Sequence, residues 1–114
     1  MALKRHLIIG SLLAALGVIL GAFGAHAIKE MVEAERLEIW KTANYYHMVH
    51  SLGILISGMI YDKIGIDKRP WSLWLFLAGI LCFSGSLYLL CLYPDMRWLG
   101  PITPIGGVFF IAGW

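Results

Sequence analysis

Charge is scarce in this chain. Lys and Arg number nine and Asp and Glu seven, together 14% of 114 residues, where a soluble domain carries about a quarter. The net charge of +2 and the lack of any Lys/Arg run interleaved with aromatics exclude a nucleic-acid partner. There are only two cysteines, Cys82 and Cys91, nine residues apart on one predicted helix. They cannot bridge each other, and no zinc or redox spacing surrounds them. The first three apolar stretches contain no Asp or Glu. That removes the membrane carboxylate a small proton-coupled exporter needs, and leaves a histidine relay as the only transport reading. The serines have no nearby acid and no strand-turn-helix elbow, so no enzyme is expected. No cofactor is expected either.

What is abundant is hydrocarbon. Hydrophobic residues make up 60% and the mean hydropathy is +0.77. Apolar stretches over about 7–27, 43–61, 71–93 and 102–114 predict an all-α, integral membrane four-helix bundle in one domain, 1–114. A span takes roughly 20 residues at ~1.5 Å each. The fourth stretch reaches only about 20 Å against a core of ~30 Å. It is expected to be short: truncated, re-entrant or mismatched. Lys4, Arg5 and Ala25-His26-Ala27 sketch a secretory signal. The apolar run between them exceeds the ~7–15 residues of a signal core, however, which favours a spanning helix.

Basic residues set the expected orientation. Lys4, Arg5, Lys63, Lys68 and Arg69 fall on one side; Lys29, Arg36, Lys41 and Arg97 fall on the other. The margin of one charge places the N-terminus in the cytoplasm. Trp40, Tyr45, Tyr46, Tyr61, Trp71, Trp74, Tyr93 and Trp98 lie near span ends, as interfacial aromatics do. Between spans one and two, Met31, Ala34, Leu37, Trp40 and Ala43 recur at helical steps with charge on the other faces. This predicts a short amphipathic helix over 29–42, either in the membrane interface or capping the bundle end.

Gly10, Ala14, Gly17, Gly21 and Gly24 form a small-residue stripe along span one. Such a stripe lets helix backbones approach closely, within the chain or across a homodimer. Polarity in the membrane region is segregated by depth. The end of span one, the start of span two, the end of span three and the start of span four share one membrane face. They bring His26, Tyr46, His47, His50, Ser84, Ser86, Tyr88 and Thr103 into the same half. Thr103 is placed as N-cap of the fourth helix, with Pro104 at its first position. Ionisable groups at this depth are costly and mark a site. Depth pairs His50 with Tyr88 or Ser84. The alternative is a ligand, haem or metal site using His26, His47 and His50, since neutral imidazole suits zinc, copper or iron.

Four phrases carry a family resemblance: Gly-Ala-Phe-Gly-Ala-His-Ala at 21–27, Tyr-x-x-x-His at 46–50, Phe-Ser-Gly-Ser-Leu-Tyr at 83–88 and Thr-Pro-Ile-Gly-Gly at 103–107. In this order they resemble the small membrane family DUF423 and its eukaryotic relatives, the transmembrane protein 256 group. The resemblance implies four helices in a bacterial inner membrane, or an organelle membrane in eukaryotes, and brings no established activity. It also implies a last helix that runs on beyond Trp114. The expected role is an interaction, accessory or scaffold protein whose partners are membrane lipid, other membrane proteins or a second copy.

Overall fold

The computed structural model describes residues 2–65 and 70–114. Helix α1 runs Ala2–Phe23, passes through a π-helical turn at Gly24–Ile28 and ends in a last α-turn at Lys29–Met31. Helix α2 is Ala34–Ile64. Helix α3 is Trp71–Leu92, interrupted by a second π-helical turn at Ile80–Ser84. A 3-10 turn at Arg97–Leu99 leads into α4, Ile102–Gly113. The α2 helix is central, with α1 along one flank and α3 along another, and α4 lies against α3.

Chain punctuation explains the boundaries. Val32 and Glu33 are extended, with ψ of 162° and 160°, and break α1 from α2. Gly65 ends α2 with φ +76°, donating its N–H to Asp62 and Tyr61 carbonyls. This is the left-handed stop that glycine makes at least cost.

The predicted separate helix over 29–42 is not what forms. Residues 29–31 finish α1, and 34–42 begin α2 without a break at 42–43. The apolar steps at Leu37, Trp40 and Ala43 continue in phase into His47, Ser51 and Ile54, so one helix keeps one buried face. With 31 residues α2 is ~46 Å long and outruns the hydrocarbon core. The fourth helix differs from expectation at its start. Pro101, not Thr103, occupies the N-cap position and makes no side-chain cap bond. Pro101 already holds helical angles, so the first turn starts at Ile102 and Pro104 sits within it, where a missing N–H costs nothing. Lys68 and Arg69, two of the basic residues behind the expected orientation, lie outside the described residues.

The small-residue stripe of α1 faces α2 of the same chain. A Cβ on Gly10 would come 2.7 Å from Leu55, one on Gly21 2.9 Å from Asn44, and one on Gly24 would land on the Trp40 indole. Two apolar clusters hold the bundle. Ile54, Leu73, Phe76, Ile80 and Phe110 form one, with Ile9 and Leu13 packed against it. Ile28, Trp40 and Cys91 form the other, near the shared membrane face. Asn44, His47, His50 and Ser51 on α2, and Ser84, Ser86 and Tyr88 on α3, lie between these two clusters.

Candidate functional site

The polar layer is built from three helices. His47 projects from α2 between α1 and α3. Its Nε2 lies 2.8 Å from the Leu13 carbonyl and its Nδ1 3.0 Å from the Tyr88 hydroxyl. A carbonyl can only accept, so Nε2 carries the proton and Nδ1 receives the Tyr88 O–H. The Tyr88 oxygen in turn accepts from Asn44 Nδ2 at 3.3 Å, and Asn44 Nδ2 also donates to the Gly17 carbonyl at 2.7 Å. The donors run in one consistent order from Asn44 through Tyr88 and His47 to Leu13. Leu13 and Gly17 are one turn apart on α1, and Asn44 and His47 are one turn apart on α2.

His50 is held as the opposite tautomer. Its Nδ1 donates to the Tyr46 carbonyl at 2.8 Å, and its Nε2 accepts the Trp114 indole N–H at 3.1 Å. Its ring stacks on Phe110 with centroids 3.6 Å apart. The expected pairing of His50 with Tyr88 or Ser84 is therefore corrected. Tyr88 meets His47, and Ser84 donates to the Ala43 carbonyl at 2.7 Å. The end of α3 docks on Arg36 and Trp40, outside the apolar stretch that begins at 43, so Tyr88 falls beside His47, one turn nearer the start of α2 than depth alone predicts. Three residues on, His50 reaches α4 instead.

The remaining expected site residues are dispersed. Ser86 donates to the Phe83 carbonyl at 2.9 Å and receives the Thr103 hydroxyl, so Thr103 ties α4 to α3 rather than capping. Tyr46 packs its ring on Phe83, 4.8 Å between centroids. It bonds His50 through its backbone carbonyl. His26 is exposed in the π-helical turn of α1, whereas His47 and His50 are buried. The three histidines do not form one site. Among the described residues, no three His, Cys, Asp or Glu side chains gather as a metal set. The lone pairs of the His47 and His50 imidazoles each already receive a protein hydrogen.

Sequence reasoning passed over three contributors. Asn44 joins α1 to Tyr88, Trp40 donates its indole N–H to the Leu20 carbonyl at 2.9 Å, and Arg36 grips the end of α3. Arg36 Nε donates to the Cys91 carbonyl at 2.8 Å, and its Nη2 reaches the Cys91 and Leu92 carbonyls. The available signal was phase. All three residues lie within one turn of the stripe that leads to His47.

Such a layer replaces water where hydrocarbon excludes it, since an unpaired polar group there costs several kcal/mol. Its individual bonds are modest. A double-mutant cycle on His47→Leu and Tyr88→Phe, read by unfolding in detergent, should return a coupling of about 0.6–1.7 kcal/mol. A coupling indistinguishable from zero would refute the bond.

A helical bundle with apolar flanks, an internally satisfied polar layer and close glycine-mediated helix contacts is an integral membrane protein of the four-helix class. Its relatives agree. The family model described as protein of unknown function, DUF423, matches residues 20–107, and the chain belongs to that family. A UPF0382 membrane protein of Staphylococcus epidermidis is 46% identical over 112 residues, covering 98% of this chain and 90% of its own length. The UPF0382 membrane protein YwdK of Bacillus subtilis is 43% identical over 113 residues, covering 98% and 91%. No solved structure matches the chain.

Proposed function

We propose that this protein is a non-enzymatic accessory or scaffold subunit of the bacterial inner membrane, with its N-terminus in the cytoplasm. The observation that carries the reading is the closed polar layer. Asn44, Tyr88, His47 and His50 direct their hydrogens at one another or at carbonyls of their own chain. This leaves no free base or nucleophile among them. The side chains turned outward are hydrocarbon instead. Leu12, Val18, Ile19, Leu81 and Ile111 are each more than 60% exposed, and they suit lipid, another membrane helix or a second copy. The bacterial relatives named as membrane proteins support the location. The excess of one basic residue on the N-terminal side supports the orientation.

A photo-crosslinking side chain at Leu81, activated in cells before purification, tests the reading. Discrete protein adducts and a metal-free sample without a Soret band are expected. Adducts with lipid alone would defeat the scaffold role. A Soret band, or one metal per chain that disappears in His47→Ala, would defeat the non-enzymatic one. A cysteine at Glu33 should react with a membrane-impermeant thiol reagent on intact cells. Reaction only after permeabilisation would reverse the orientation.

A further inference from the structure

A recess of about 440 Å³ opens between α1 and α2, bordered by Asn44 of the polar layer. This is within the usual ~300–1,000 Å³ of ligand sites. Gly21 and Gly24 form its α1 wall, and residues Lys41 to Leu52 form the α2 wall. Trp40 makes the floor. It is 3% exposed and pinned by its bond to the Leu20 carbonyl. At Gly21 and Gly24 the α1 backbone packs directly on Asn44 and Trp40 of α2, while the neighbouring Val18, Ile19 and Phe23 are large and exposed.

Its polarity is ordered by depth. Lys41 stands just outside the apolar stretch that begins at 43. Tyr45 and Asn44 come one turn further in, and Met48, Val49 and Leu52 follow. From Lys41 to Leu52 is 11 residues, or ~16 Å, close to one leaflet's half of the ~30 Å core. A cation, then polar groups, then hydrocarbon, over the depth of one leaflet, is the complement of a phosphate, an ester-linked glycerol and an acyl chain. Lys41 does pair with Glu38, at 3.4 Å, but the side chains are 61% and 71% exposed. Such a solvent-exposed pair contributes little, so the ammonium exchanges it readily for a charge-assisted bond to phosphate.

We propose that this recess binds one glycerophospholipid of the adjoining leaflet, with its phosphate on Lys41 and an acyl chain lying along Gly21, Val49 and Leu52. The site reads phosphate and chain and is open to different headgroups. It is independent of any accessory or scaffold role, since it needs only the membrane setting.

Native mass spectrometry of the detergent-purified chain tests it. The probe is an equal mixture of dioleoylphosphatidylglycerol and dioleoylphosphatidylethanolamine, with dioleoylglycerol as the phosphate-free comparison. The wild type and an outward-facing control, Leu81→Trp, should each retain one phospholipid and no dioleoylglycerol. Val49→Trp fills the recess and should retain none. Lys41→Gln, at an exposed position that leaves the fold alone, should lower retention at least several-fold. The proposal falls if the wild type retains no phospholipid, if dioleoylglycerol is held equally well, or if Lys41→Gln retains as much as the wild type. Equal retention by a folded Val49→Trp would also overturn it.

Discussion

Gly106→Ala should destabilise the bundle by about 1–3 kcal/mol, visible as a clear drop in the thermal unfolding midpoint in detergent. Gly106 lies in α4 directly over the π-helical turn of α3. A Cβ there would land on the backbone nitrogen of Phe83 and come 2.8 Å from its Cα. Backbone cannot swing aside as a side chain can, so α4 itself must lift. That lift would stretch the Ser86–Thr103 contact and pull Phe110 from its stack on His50. Gly17→Ala makes the informative comparison. The added methyl at that site meets the Met48 thioether, the flexible end of a side chain that adapts to shape. Its cost should be clearly smaller. Equal shifts for the two variants would contradict close backbone packing of α4 on α3.

This contrast also shows what could and could not be read from the residues. The spans were legible because hydrocarbon runs of the right length have few other uses, and Gly10, Gly17, Gly21 and Gly24 marked a helix contact by spacing alone. The choice of partner was not legible. Tyr88 meets His47 because the end of α3 docks on Arg36, outside the apolar run that begins at 43, and the π-helical turn at Ile80–Ser84 was equally hidden. No feature of Ile80-Leu81-Cys82-Phe83-Ser84 separates it from ordinary apolar helix. Thr103 misled for a related reason. A threonine before proline at a helix start reads as a cap, and the hydroxyl of Ser86 that claims it lies 17 residues away. The charged stretch from 29 to 42 has the amphipathic periodicity of an element lying in the interface or capping the bundle end. The same periodicity fits the first turns of a long helix whose charged faces clear the membrane. Arg36 settles the matter by pointing into the bundle, and a lone arginine among glutamates carries no mark of that.

Arg36→Leu should loosen the end of α3. The last carbonyls of a helix have no partner within it and form the negative pole of its dipole. Arg36 supplies a planar fork of donors to two of them, Cys91 and Leu92. Bonds to a charged group contribute about 1.5–3 kcal/mol, and leucine keeps the apolar stem's packing while removing the fork. Lysine at this position should fall between the two, because a single ammonium cannot reproduce the fork. Two measurements separate this clamp from general packing loss. Unfolding in detergent should shift by roughly the value of the lost bonds. The Cys91 thiol, fully buried at 0% exposure, should become reactive toward a thiol reagent as the last turn frays, in a background where Cys82 is serine. Arg36→Lys should protect it partly. If Cys91 reacts no faster in Arg36→Leu than in the parent, the guanidinium is not what holds α3 against the start of α2.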